Sequence, residues 1–159
     1  MRATRVLAPG KIEIVETPKP ELRPGHVLVR TRQVSLCGSD YHSIYYSEPE
    51  AYPLPPGVSG HEMVGVVEAV DAPGSALRPG DIALTLAPNN QAMAEYYLAR
   101  EDHVLVLPNG KPLDHLLQAQ QLGTIIYAAK YLPTSVIDKN VAVIGKGSAG
   151  LWWNWMMRR

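Results

Sequence analysis

The sequence holds a single cysteine in 159 residues, no excess charge of either sign and no long apolar run. One cysteine excludes an internal disulfide framework and a structural zinc lobe built from cysteines alone. Lysine plus arginine and aspartate plus glutamate number fifteen each, and neither sign forms a long run. A nucleic-acid or anionic-membrane partner needs a basic face, so this balance argues against both. No stretch approaches the roughly 20 apolar residues of a membrane span. Met1-Arg2-Ala3-Thr4-Arg5 is followed by no apolar run of signal-peptide length. The expectation is a soluble, cytoplasmic protein with one core of ordinary domain size.

Fourteen prolines and thirteen glycines are spread along the chain, with short runs of Val, Ile and Leu between them. That pattern reads as turn punctuation in a mainly β domain rather than as a linker. Strands are expected at residues 4–8 and 11–16 around the turn Pro9-Gly10, and at 26–32 once Pro18, Pro20 and Pro24 are passed. The strongest strand signal is the Val-rich run 63–70, interrupted by Gly65. Shorter ones follow at 82–84 after the turn Pro79-Gly80-Asp81, at 93–98 and at 104–107. Short strands with frequent turns suggest a small barrel or rolled sheet. From Leu113 the apolar spacing becomes helical, and a helix over about 113–132 is expected with Gly123 a weak point. Residues 141–144 (Val-Ala-Val-Ile) read as a strand of the kind buried in a parallel sheet. Gly145-Lys146-Gly147-Ser148-Ala149-Gly150 follows directly.

Two clusters carry the chemistry: Cys37-Gly38-Ser39-Asp40-Tyr41-His42 and Gly60-His61-Glu62. A cysteine sulfur and an imidazole are good zinc ligands, and a catalytic zinc usually takes three protein groups plus water. Cys37 and His61 are far enough apart to come from separate loops, as an open site often requires. Taken singly, each residue has a plainer explanation: a lone Cys is usually a small buried hydrophobe, and Ser and Asp favour turns. Their joint occurrence is what points to a site.

These clusters, with Gly57-Val58-Ser59-Gly60-His61-Glu62-Met63-Val64-Gly65-Val66-Val67, Arg78-Pro79-Gly80-Asp81 and the glycine-rich turn after Ile144, resemble the zinc-dependent medium-chain dehydrogenase/reductase family of alcohol and polyol dehydrogenases. The resemblance covers nearly the whole chain. It implies a GroES-like catalytic domain over residues 1–139 and the start of a Rossmann nucleotide-binding domain over 140–159. It also implies one catalytic zinc held by Cys37 and His61, with Glu62 beside the metal or ligating it. Asp40 would fix the tautomer of His61, Ser39 would touch the substrate hydroxyl, and His42 would relay its proton. The implied reaction oxidises an alcohol to an aldehyde or ketone through a zinc-bound alkoxide, with hydride passing to NAD or NADP.

The third ligand departs from the family pattern. Aligning residues 117–123 with the helix that usually supplies a Cys, Asp or Glu places Gln120 at that position. A neutral amide oxygen is a poorer donor, so Glu62 would supply the missing anion. The alternative is a polar helix face, with Gln118 and Gln121 leaving the register open. The stretch 84–91 contains no cysteine, as in a member with catalytic zinc only. Gly145, Gly147 and Gly150 form a G-x-G-x-x-G turn that could approach a pyrophosphate at a helix N-terminus. The Trp- and Met-rich residues 151–159 would open the first helix of the nucleotide domain, or alternatively dock on a partner. With most of that domain outside it, the chain is expected not to be a competent dehydrogenase by itself. The implied partner is a small-molecule alcohol or polyol, and a homo-oligomer remains open. A different class of function, a non-catalytic GroES-like binding or oligomerising module, has no reason to keep the zinc cluster.

Overall fold

Antiparallel pairing between residues distant in sequence builds most of the structure, a computed structural model that describes residues 1–86 and 89–158. Ala87, Pro88 and Arg159 lie outside the described residues, so the cysteine-free stretch after Asp81 and the Trp-rich segment are each described in part. A hairpin of β1 (Arg2–Ala8) and β2 (Lys11–Glu16) turns at Pro9-Gly10, where Gly10 takes a φ of 70°. Five further strands form one sheet: β3 (His26–Ser35), β4 (Glu62–Asp71), β5 (Ile82–Leu86), β6 (Tyr96–Arg100) and β7 (Val104–Val106). Their order is β6-β3-β4-β5-β7, and every neighbouring pair is antiparallel. The α-helices among the described residues are α1 (Gly38–Tyr46), α2 (Leu113–Ala129) and α3 (Ser148–Met156).

The expected mainly β architecture is present, and β4 is the middle strand of the five-stranded sheet. Alternation along the strands separates two apolar faces. Val27, Val29, Met63, Val67, Ala83, Tyr97 and Ala99 pack on one face, and Val64 and Leu84 pack with Leu116 and Leu117 on the other. A strand apolar on both sides is a central strand, which is why the Val-rich run 63–70 was the clearest in the sequence. Gly65 sits within it because nothing larger fits: a Cβ there would lie 2.5 Å from Val29 Cγ1 and 2.6 Å from the Arg30 carbonyl oxygen.

The strands differ from expectation mostly at their ends. β3 runs on to Ser35, and β5 to Leu86. The strand placed at 93–98 is found at Tyr96–Arg100, because Ala94 forms an isolated bridge with Ala3 instead. Helix α2 stops at Ala129, three residues short of expectation, and tolerates Gly123. Two differences are larger. Helix α1 occupies a segment read as loop. Residues 141–144, expected as the first strand of the Rossmann domain, have no regular secondary structure, since a strand needs a hydrogen-bonded neighbour and none of the described residues pairs with them.

The chain divides into two compact units, residues 1–117 and 118–159. The first contains both sheets and α1. The second contains most of α2 and all of α3, which starts at Gly147 as its N-cap directly after the glycine-rich turn. No helix among the described residues is long and apolar enough to cross a membrane.

Gly65→Ala should destabilise the first unit by about 1–3 kcal/mol, the usual cost of forcing extra volume into a packed interior. Urea unfolding followed by tryptophan-independent far-ultraviolet dichroism measures it, and an unchanged midpoint would contradict the packing described.

Candidate metal centre

The register of β3 against β4 builds the site. Ser35, the last residue of β3, pairs with Glu62, the first residue of β4, although 27 residues separate them in sequence. Cys37 lies two positions beyond Ser35, and His61 one position before Glu62. Pairing the strands in this register therefore delivers both to the same end of the sheet. Cys37, His61 and Glu62 each offer a ligand atom, and these atoms all lie within 4.8 Å of one another. No other group of three or more such side chains is found among the described residues.

Helix α1 holds the sulfur. Cys37 is its N-cap, in an extended conformation, and Asp40 is at the third helical position. The Asp40 carboxylate turns back to accept the Cys37 backbone N–H at 2.9 Å, so the residue that closes the first turn also fixes the ligand's backbone. The other carboxylate oxygen stands 3.1 Å from His61 Nδ1. One buried carboxylate thus ties two of the three donors, and it is only 1% exposed. With Nδ1 engaged, Nε2 is the His61 nitrogen left for a metal. The buried Ser59 hydroxyl donates to the Asp40 carbonyl at 3.3 Å, joining the loop before His61 to α1.

The Gly60 backbone allows the approach to His61. Its φ of 148° suits glycine, and a Cβ would meet Met93 Cγ at 2.8 Å. On the far side, the buried Glu62 carboxylate accepts a short hydrogen bond from the Ser35 hydroxyl.

The other residues named from the sequence are placed separately. Ser39 and His42 are exposed on α1, and the His42 ring lies 5.7 Å from that of Tyr46. The Tyr41 phenol is held above its usual range, chiefly by its hydrogen bond with Tyr46. Gln120 lies within α2 in the second unit, where its carbonyl accepts from Thr124. Gly145 has a φ of 122°, Gly147 caps α3, and Gly150 is in its first turn. Sequence reading missed Ser35 and Ser59, whose roles become visible only once the strand register and the loop are known. A cavity of about 600 Å³, lined chiefly by residues from 17–23 and 89–98, involves none of the three donors.

Comparison with known proteins follows the same residues. The family model of the alcohol dehydrogenase GroES-like domain matches residues 23–109, more than half of the chain. An alcohol dehydrogenase of Cupriavidus necator is 31% identical, over 70% of this chain and 30% of that protein. An L-threonine 3-dehydrogenase of Symbiobacterium thermophilum is 31% identical, over 95% of this chain and 50% of its own length. The crystal structure of galactitol-1-phosphate dehydrogenase from Escherichia coli superposes with a TM-score of 0.80 at 22% identity, over 99% of this chain and 52% of that one. The chain spans half or less of the length of the curated relatives named here.

His61 should carry its ring proton on Nδ1 in the metal-free protein, donating to Asp40. In Asp40→Ala the Nε2–H tautomer should gain population, as imidazole nitrogen-15 shifts would show. An identical tautomer balance in the variant would mean that Asp40 does not orient the ring.

Proposed function

The chain belongs to the alcohol dehydrogenase GroES-like family, and from that premise we propose that it supplies the zinc-holding part of an NAD(P)-linked alcohol or polyol dehydrogenase. The reaction would oxidise a small alcohol to an aldehyde or ketone. The observation that carries this reading is the convergence of Cys37, His61 and Glu62, with Asp40 bracing the first two. The donor set of sulfur, imidazole nitrogen and carboxylate oxygen fits zinc by its chemistry. Tetrahedral zinc, with bonds of about 2.0–2.3 Å, places its donors roughly 3.3–3.8 Å apart. The three donor atoms lie within 4.8 Å of one another, so side-chain adjustment can bring them to that spacing.

When bound, zinc supplies Lewis acidity toward an alcohol oxygen. The chain's own residues supply the rest. Asp40 holds the imidazole in one tautomer and keeps Cys37 at the mouth of α1. Ser39 would accept the substrate's hydroxyl proton, and His42 would pass it to solvent. The two are three residues apart on α1, a spacing that makes them neighbours on a helix surface. Gln120 is a candidate for a further ligand, with Glu62 providing the anion that an amide lacks.

We place the functional boundary at residues 139 and 140. On this reading Gly145, Gly147 and Gly150 form the turn that receives a dinucleotide pyrophosphate, with the N–H groups at the start of α3 as donors. The exposed position of Gly145 and the N-cap role of Gly147 support it. A ligand cysteine that must stay reduced suits the cytoplasm.

Purified chain should carry close to one zinc, and Cys37→Ser should remove nearly all of it, as elemental analysis after gel filtration would measure. Zinc content unchanged by the substitution would overturn the site assignment.

A further inference from the structure

We propose that Ser35 is a positioning residue for the metal centre: its hydroxyl tethers one oxygen of Glu62, so that this carboxylate serves the centre as a one-oxygen ligand. The inference rests on the zinc-site reading above and extends it to a side chain that no sequence motif marks.

The argument starts from the state of Glu62. Its side chain is 4% exposed, beside a sulfur and an imidazole, neither of which gives it a hydrogen bond. Among the described residues, the Ser35 hydroxyl is the donor that bonds it. Asp40, the other buried carboxylate of the site, accepts the Cys37 backbone N–H and faces His61 Nδ1 as well. A buried carboxylate is costly unless it is paired, hydrogen-bonded or bound to a metal. One neutral hydroxyl satisfies only part of Glu62, and an oxygen of this carboxylate lies within 4.8 Å of two zinc-type donors. Glu62, not Asp40, is therefore the carboxylate left for a cation.

The tether is also geometrically selective. Ser35 and Glu62 are directly paired residues of adjacent antiparallel strands, where side chains on one face stand about 4.5–5.5 Å apart at Cβ. A hydroxyl on so short a stem reaches only a carboxylate that stays on that side. While one oxygen is held there, one-oxygen binding through the other is favoured, because a bidentate grip would draw the held oxygen away from Ser35. Glu62 is thereby kept within 4.8 Å of the sulfur and the imidazole rather than swinging away along the sheet edge.

The test measures metal affinity, independent of turnover, on the 159-residue chain. Zinc binding is read by competition with a chromophoric chelator, and cobalt binding by the intensity of its visible ligand-field bands. The variants are Ser35→Thr and Ser35→Val, which match in volume and differ in the hydroxyl, together with Glu62→Gln, Ser35→Val/Glu62→Gln and Cys37→Ser.

Ser35→Thr is expected to bind zinc within about threefold of the parent. Ser35→Val is expected to lose about 10–100-fold, the usual cost of removing a ligand's outer partner. The double variant should bind no more weakly than Glu62→Gln alone, because Ser35 acts through Glu62. The cobalt bands should change in intensity with Val and not with Thr, as ligation by Glu62 changes.

Equal affinities for the Thr and Val variants would overturn the proposal, and so would fully additive losses in the double variant. A parent affinity retained in Cys37→Ser would instead overturn the site assignment, which keeps the two failures distinct.

Discussion

The pairing of Ser35 with Glu62 is the constraint on which the rest of the site depends. Strand register has a period of two, so a slip of one residue would turn every side chain of β4 to the opposite face. Here the slip is opposed from both faces, because Val64 and Leu84 pack one side while Met63 and Val67 pack the other. Gly65 adds a steric lock opposite Thr31, since only a residue without a Cβ clears Val29 and the Arg30 carbonyl. The core therefore sets the register, and the register sets where Cys37 and His61 end up. A metal centre whose ligands are far apart in sequence is only as well defined as the sheet that joins them.

Asp40 converts that proximity into geometry. Closing the first turn of a helix with a side-chain acceptor is ordinary, and is worth about 0.5–2 kcal/mol where it has been measured. The same carboxylate here also faces an imidazole from another segment, at 3.1 Å. Burial makes both contacts stronger and makes losing either of them expensive. Helix capping and ligand orientation are thus a single structural act, and the Asp40 substitution that disturbs one must disturb the other.

Much of this was legible in the sequence, for identifiable reasons. The central strands were visible because burial on both faces writes a continuous apolar run, as at residues 63–70. The donors were visible because Cys37-Gly38-Ser39-Asp40 and Gly60-His61-Glu62, two separate clusters, occur together in one chain. Helix α1 was not visible: its only buried apolar residue is Ile44, so no apolar stripe announces it. What forms it is the cap at Cys37 and Asp40, the same pair that the site uses, and the Ser and Asp residues read as turn formers. Ser35 was silent for another reason. A serine at a strand end has no meaning until its cross-strand neighbour is known. Residues 141–144 failed in the opposite sense, because an apolar run gives the tendency to be a strand and a neighbouring strand gives the fact.

The two buried carboxylates show how a site can separate structure from chemistry with the same functional group. Asp40 is hydrogen-bonded to its own helix and braced against His61, so its oxygens are committed to holding the fold. Glu62 sits at the start of a strand with one hydroxyl donor, and it has a carboxylate oxygen within 4.8 Å of the sulfur and the imidazole. If both were equally satisfied, a cation arriving at the triad would have to break an existing network. If neither were, two adjacent buried anions would destabilise the loop before any metal bound. The asymmetry resolves this conflict. It lets the metal-free chain keep its fold through Asp40 while Glu62 keeps the capacity to receive a positive charge.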